Sequence, residues 1–121
     1  MLAHTVLLAM LSALALAQKF EGFPTTLTCQ QSDGDNDNIT DAELQTVVIG
    51  PKGNLYDKSA ANIGAGKCSS LSGIPLYTTR IEGTSSLIWF AYDKVQDTYH
   101  FCFGTGALHP KIGYPTRCEE I

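Results

Sequence analysis

Four cysteines are spread along a chain of 121 residues, and their positions constrain its fold more than any other feature. They are Cys29, Cys68, Cys102 and Cys118, and none has the CxxC or Cys/His spacing of a zinc site. Three pairings are open to four cysteines. A bridge from Cys29 to Cys118 would close a loop of nearly the whole domain, worth about 4–5 kcal/mol by the chain-entropy estimate. We therefore predict that pair, with Cys68–Cys102 linking a Gly/Ser-rich loop to a neighbouring strand.

The first residues contain an apolar run, VLLAMLSALALA, that is too short to span a bilayer and ends in Ala-Leu-Ala. We predict that residues 1–17 are a secretory signal peptide and that residues 18–121 are a single mature domain. The usual positive charges before the run are missing, so a buried N-terminal helix is the alternative. A secreted chain passes through an oxidising compartment, where disulfides form. After cleavage of the signal we expect no membrane segment.

Charge narrows the class of partner. Eight Lys and Arg oppose twelve Asp and Glu, which gives a net charge of −4, so no basic field attracts a phosphate backbone. We expect a monomer without cofactor or metal. The pattern Asp33-x-Asp35-x-Asp37 resembles the start of a calcium loop, but Asn38 and Leu44 stand where that loop needs Gly and a bidentate Glu. A solvated turn is the better interpretation.

Local signals predict one helix, from Asp41 to Ile49. Thr40 and Glu43 form a capping box before it, and Gly50-Pro51 is a stop signal. An apolar stripe along this helix would lie on a sheet; it consists of Leu44, Val47 and Val48. Residues 32–38 and 59–73 are rich in turn-forming residues and are predicted to be loops.

Three runs have the composition of β-strands: Leu76–Ile81, Ser86–Tyr92 and Thr98–Phe103. An antiparallel meander is the simplest way to connect them. The middle run is apolar on both faces and should be the central strand. A short β-prone stretch, Leu27-Thr28-Cys29, precedes them. The sequence therefore predicts an α+β fold in which one helix packs on an antiparallel sheet.

A sequon for N-glycosylation, Asn38-Ile39-Thr40, lies in a predicted surface loop. Because Thr40 is also the predicted helix cap, the sequence does not decide whether Asn38 is glycosylated.

Two histidines of the mature chain, His100 and His109, are candidates for acid–base catalysis. Each would need a second group, for which Glu82 and Asp93 are available. No nucleophile signature such as GxSxG accompanies them, so a surface role is favoured.

The order of parts along the mature chain resembles the small guanyl-specific ribonucleases secreted by fungi. The individual matches are short, and only their order has weight. They are Tyr56 with Lys58, Ile74-Pro75-Leu76, Ile88-Trp89-Phe90, Thr105-Gly106-Ala107 and the pair Cys29 and Cys118.

This resemblance implies a ribonuclease-like scaffold without its catalytic groups. The positions that correspond to the family's catalytic residues hold Asp57, Gly73, Leu87 and Gly104. Tyr56 resembles a phosphate-contacting tyrosine of the family and is the one plausible counterpart. We therefore expect no catalytic residue. The candidate RNA or phosphate contacts are Tyr56, Lys58 and Thr105.

A ribonuclease scaffold of this kind is similar to the ribonuclease-like effectors secreted by powdery mildews and related plant-infecting fungi. Leu27-Thr28-Cys29 stands where those effectors have a short aromatic-or-aliphatic-x-Cys motif. The resemblance implies a secreted, inactive protein, translocated or not into a host cell, that binds a host protein or, weakly, RNA. The alternatives are an active endoribonuclease with a relocated site and an extracellular or cell-wall binding protein.

Overall fold

A computed structural model describes residues 18–64 and 66–121, so the predicted signal peptide lies outside the described residues. Within this part of the chain, no helix is both long and apolar enough to cross a membrane. Its elements in chain order are β1 (Lys19–Glu21), β2 (Thr26–Gln30), β3 (Asn36–Thr40), α1 (Asp41–Val48), β4 (Asn54–Asp57), two 3-10 turns (Ala60–Asn62 and Gly66–Cys68), β5 (Leu76–Arg80), β6 (Leu87–Asp93), β7 (Thr98–Leu108), β8 (Pro115–Arg117) and β9 (Glu119–Glu120).

The strands form two sheets. The larger sheet has the order β1-β7-β6-β5-β4, with β8 also paired to β7, and the smaller has the order β3-β2-β9. The fold is thus α+β, but the prediction of a purely antiparallel sheet is wrong, because β1 runs parallel to β7. β1 supplies partners to an edge of β7 that would otherwise expose unpaired backbone groups.

The predicted central strand is confirmed: β6 lies in the middle of the larger sheet, between β5 and β7. Its side chains alternate between the two faces of the sheet. Ile88 and Phe90 point to one core, whereas Trp89 and Ala91 belong to the other. The pairing of β6 with β7 has a register shift between Trp89 and Phe90.

The first core lies between the larger sheet on one side and α1 with the smaller sheet on the other. The hydroxyl of Thr40 accepts a 3.2 Å hydrogen bond from the backbone N–H of Glu43, so the predicted cap is present. The helix ends one residue before the predicted Ile49. The fully buried side chains that meet here include Leu27, Ile39, Leu44, Val48, Ile88, Phe90, Tyr99 and Phe101.

Residues 59–74 cover part of the opposite face of the larger sheet and form a second, smaller core. Ala60, Leu76 and Ala91 are completely buried there. The Cys68–Cys102 disulfide fastens this segment to β7. The other disulfide joins Cys29 on β2 to Cys118, so both bridges follow the pairing expected from the sequence.

The strands differ most from the sequence prediction at β3 and at the end of β7. The sequence predicts a loop over residues 32–38, but residues 36–40 form strand β3. This segment is a strand because it pairs antiparallel with β2 and buries Ile39. β7 extends to Leu108 instead of ending at Phe103. Glycines are rare inside strands, but a side chain at Gly106 would collide with the backbone of β2, so this strand needs one there.

Candidate binding site on the open sheet face

Residues 59–74 cover only part of the larger sheet on the side away from α1, where Trp89 and Phe103 pack half-buried against the second core. We call this surface the open face. Residues directly opposite each other on neighbouring strands share a face, and these pairings define its members. They are Thr78, Arg80, Leu87, Trp89, Phe103, Thr105 and Arg117, and Tyr56 joins them through its contact with the Trp89 ring.

One row of the open face crosses four neighbouring strands. Arg80 on β5 is opposite Leu87 on β6, Leu87 is opposite Thr105 on β7, and Thr105 is opposite Arg117 on β8. At a strand spacing of about 4.8 Å, the backbones of the two arginines lie roughly 14 Å apart. The row therefore has a cation at each end and an aliphatic side chain and a hydroxyl between them.

The adjacent row is aromatic. The rings of Trp89 and Phe103 are stacked, with centroids 4.6 Å apart and planes inclined by 8°. Tyr56 meets Trp89 edge-on at 6.5 Å. The guanidinium carbon of Arg117 lies 4.2 Å from the ring centre of Phe103, a cation–π contact. Three rings and one cation thus form a continuous line across the sheet.

A cleft of about 400 Å³ opens beside these rows, between the start of β6 and the end of β7. Its lining includes Leu87 and Thr105 from the row of four, with Arg80 at the same site. Thr105 is only 8% exposed. Its hydroxyl is buried and has no hydrogen-bond partner in the described chain. The rest of the lining consists of the apolar residues Ala107, Leu108 and Pro115, together with Ser32, Ser85 and Gly106.

The four positions that the family resemblance aligned with catalytic residues do not converge. Leu87 lies in the cleft, but a side chain at Gly104 would point to the opposite side of the sheet, 2.8 Å from Leu27 Cδ2. Gly73 is an exposed loop residue outside the strands. Asp57, on β4, accepts hydrogen bonds through Oδ1 from neighbouring loop residues. Their side chains therefore share no common point.

The three candidate RNA contacts occupy two different strands and a loop. Tyr56 on β4 is 55% exposed, and Lys58 is an exposed residue just after that strand. Thr105 is on β7, three strands away in the sheet, or roughly 14 Å. The stacked rings of Trp89 and Phe103 span the distance between them.

Neither histidine belongs to the open face. Nδ1 of His100 lies 3.5 Å from a carboxylate oxygen of Glu21 on β1. Nδ1 of His109 accepts a 3.2 Å hydrogen bond from the backbone N–H of Lys111. Among the described residues, neither imidazole is hydrogen-bonded or ion-paired to Glu82 or Asp93, the second groups that the sequence offered.

The sequon and the acidic loop lie on the smaller sheet side. Asn38 is exposed on β3, and its Oδ1 accepts a 2.8 Å hydrogen bond from the Thr28 hydroxyl. Oδ1 of Asp33 accepts the backbone N–H of Asp35, as in an Asx turn. In residues 18–64 and 66–121, no three His, Cys, Asp or Glu side chains gather in a way that could hold a metal ion.

Sequence reasoning missed most of the open face. Arg80 falls inside the predicted strand Leu76–Ile81, and the sequence assigns a role to neither Arg80 nor Arg117. The sequence indicates only that Arg80 lies on the same face of its strand as Thr78, two residues earlier. The register of β5 against β6, which places Arg80 opposite Leu87, is set by the fold. None of the eight side chains of the open face is a carboxylate or an imidazole.

Comparison with protein-family models, with curated proteins and with solved structures finds no match to this chain.

Proposed function

We propose that the mature protein is a secreted, effector-like binding domain that recognises a host protein through the open face and does not cleave RNA. The observation that supports this proposal is the composition of that face: three aromatic rings and two arginines, without a carboxylate or imidazole to move protons. Tyr, Trp and Arg are the residue types that dominate the energetics of protein interfaces.

The arrangement of the rings favours a protein partner over RNA. Trp89 and Phe103 cover each other, and Arg117 covers the outer side of Phe103, so the site presents mainly ring edges. Stacking of RNA bases requires free ring faces. The net charge of −4 also opposes a phosphate backbone.

A second exposed apolar group adjoins the open face. The hairpin between β7 and β8 carries Leu108, Ile112 and Tyr114, all with most of their surface exposed. The hairpin is held by a 2.7 Å hydrogen bond from the His109 backbone N–H to the Tyr114 carbonyl oxygen. Contiguous exposed apolar side chains are typical of protein interaction sites.

RNA is the second candidate because Tyr56 leaves much of its ring free and Lys58 follows it closely in sequence. A single ring with nearby cations is a minimal site for one stacked base. This candidate agrees with the resemblance to ribonucleases and with weak, salt-sensitive binding.

The absence of catalysis is tested by single-turnover cleavage of a guanine-containing oligonucleotide with purified, oxidised residues 18–121. We expect cleavage at background rate, because a missing positioned acid or base costs about 10²–10⁴-fold. The matched variant carries His100→Ala and His109→Ala. Robust cleavage that this variant loses would replace the proposal with an active ribonuclease whose site has moved.

Binding is tested by affinity capture from plant extract, followed by titration of each captured protein in purified form. We expect Tyr56→Ala and Arg117→Gln to weaken the interaction at least tenfold, whereas Lys94→Gln, an exposed cation outside the open face, leaves it unchanged. The same variants are titrated with single-stranded RNA. If no captured protein binds in purified form, and RNA binds saturably in a way that Tyr56→Ala abolishes, then RNA is the partner.

A further inference from the structure

We infer that the cleft beside Arg80 binds a carboxylate carried on a small aliphatic group, such as the C-terminal residue of a partner polypeptide. This inference deepens the proposed function and rests on it for the source of the acid. The chemistry itself, one carboxylate next to a branched apolar side chain, follows from the cleft.

The size and walls of the cleft suit such a group. Its volume of about 400 Å³ is at the small end of the range for ligand pockets. Leu87 on β6 and Leu108 with Pro115 at the hairpin provide aliphatic surface on two sides. An aliphatic side chain placed between them would leave water for an apolar environment.

Arg80 supplies the charge. Its guanidinium donates only a long hydrogen bond, 3.5 Å, to the carbonyl oxygen of Thr84, and it forms no ion pair within the described chain. Glu82, two residues further on, is exposed and does not pair with it. The planar guanidinium matches a carboxylate through two parallel hydrogen bonds.

Thr105 supplies a second polar group. Its hydroxyl is buried without a partner, which is unfavourable because a buried polar group loses its hydrogen bonds to water. Rotation about χ1 to another staggered position exchanges the hydroxyl with the methyl group. Because Thr105 lines the cleft, a bound carboxylate would offer the rotated hydroxyl an acceptor.

A carboxylate fits this site better than a phosphate. Among the described residues that line the cleft, Arg80 is the one cation, and Arg117 is engaged with Phe103. A single guanidinium balances the charge of one carboxylate but leaves a phosphate dianion partly unmatched. The aliphatic walls would also remain in contact with water around a phosphate.

The test is NMR titration of oxidised, ¹⁵N-labelled residues 18–121 with N-acetyl-leucine, whose carboxylate and side chain mimic a C-terminal leucine. We expect saturable shifts of the amides of Arg80, Leu87 and Thr105 and a dissociation constant on the order of a millimolar, as for other ligands of this size. N-acetyl-leucinamide, which lacks the charge, should bind at least tenfold more weakly. Inorganic phosphate should also bind at least tenfold more weakly than N-acetyl-leucine.

Three variants separate the contributions. Arg80→Gln should weaken N-acetyl-leucine binding at least tenfold. Thr105→Val should weaken it severalfold while leaving the thermal midpoint unchanged or raised, because an unpaired buried hydroxyl is removed. Thr79→Val is the matched control: Thr79 lies next to Arg80 on β5 but on the opposite side of the sheet, outside the cleft, so its substitution should not change binding.

Equal binding of the amide or of phosphate would overturn the inference, and so would undiminished binding by Arg80→Gln. Loss of binding in Thr79→Val would also contradict it. The probe is a small acid and needs no host protein. If affinity capture yields no partner while N-acetyl-leucine binds as expected, the proposed function fails and the assignment of the cleft stands.

Discussion

The hydroxyl oxygen of Tyr99 accepts a 2.8 Å hydrogen bond from the backbone N–H of Gly50, immediately beyond the C-terminal end of α1. Tyr99 is only 1% exposed, and its ring packs against Phe20 and Tyr92. One buried side chain on β7 therefore holds the end of the helix as well as part of the first core.

Removal of this hydroxyl should cost stability without disturbing the packing. We expect Tyr99→Phe to lower the free energy of unfolding by about 1–2 kcal/mol, because the Gly50 N–H loses its acceptor. Tyr77→Phe is the control, since Tyr77 is half-buried and its hydroxyl makes no hydrogen bond in the described chain. Urea denaturation monitors both variants. Equal losses would show that the hydrogen bond to Gly50 is not what stabilises the helix end.

A histidine introduced at position 104, where the resemblance to ribonucleases would place one, should destabilise the fold. A Cβ atom at Gly104 would lie 2.8 Å from Leu27 Cδ2 and 3.3 Å from Cys118 Sγ, inside the first core. We expect Gly104→His to destabilise the protein by about 3 kcal/mol or more and to create no cleavage activity. Leu87→Arg, on the open face, should change stability by less than about 1 kcal/mol. Thermal unfolding and oligonucleotide cleavage measure both, and a stable Gly104→His protein would contradict the packing.

Tyr92 should titrate later than an ordinary tyrosine. Its hydroxyl donates a 2.8 Å hydrogen bond to Oδ1 of Asp97, and this bond, with a smaller effect of burial, raises the pKa of Tyr92 from 10.0 to about 12. A raised pKa in the folded state means that the interaction stabilises the protein fully below pH 10 and is lost as the pH rises from 10 to about 12. We expect Asp97→Asn to shift the titration of Tyr92, followed by NMR, towards 10. An unchanged titration would exclude Asp97 as the cause.

The two disulfides should differ in the stability that they provide. The chain-entropy estimate gives about 5 kcal/mol for the Cys29–Cys118 bridge and about 4 kcal/mol for the Cys68–Cys102 bridge, because the loops closed differ in length. We expect the paired Cys29→Ala and Cys118→Ala substitutions to cost more than the paired Cys68→Ala and Cys102→Ala substitutions. Guanidinium denaturation under non-reducing conditions measures both, and the reverse order would contradict the loop-length argument.

The predictions that succeeded depend on local signals. The cap at Thr40 and the stop at Gly50 are encoded within a few residues of the helix that they delimit. The run that forms β6 is apolar on both faces, and this pattern alone predicts that the strand is buried. Such features need no knowledge of the rest of the fold.

The failures depend on strand pairing, which local composition does not show. β3 is polar and becomes a strand through its pairing with β2, and β1 has only three residues and aligns with β7, some eighty positions later. Arg80 and Thr105 reach one cleft only because β5, β6 and β7 adopt a particular register. Strand register is a property of the assembled sheet, so the site could not be derived from composition or spacing.

The Cys29–Cys118 bridge closes a covalent ring around most of the described chain, because its two cysteines have a sequence separation of 89. A pull on the two ends would load this bond and extend only the residues outside the ring, 18–28 and 119–121. The enclosed chain cannot be straightened into a single strand while the bond is intact. Threading through a pore that admits one extended chain, into a host cell or elsewhere, would therefore require thiol–disulfide exchange first.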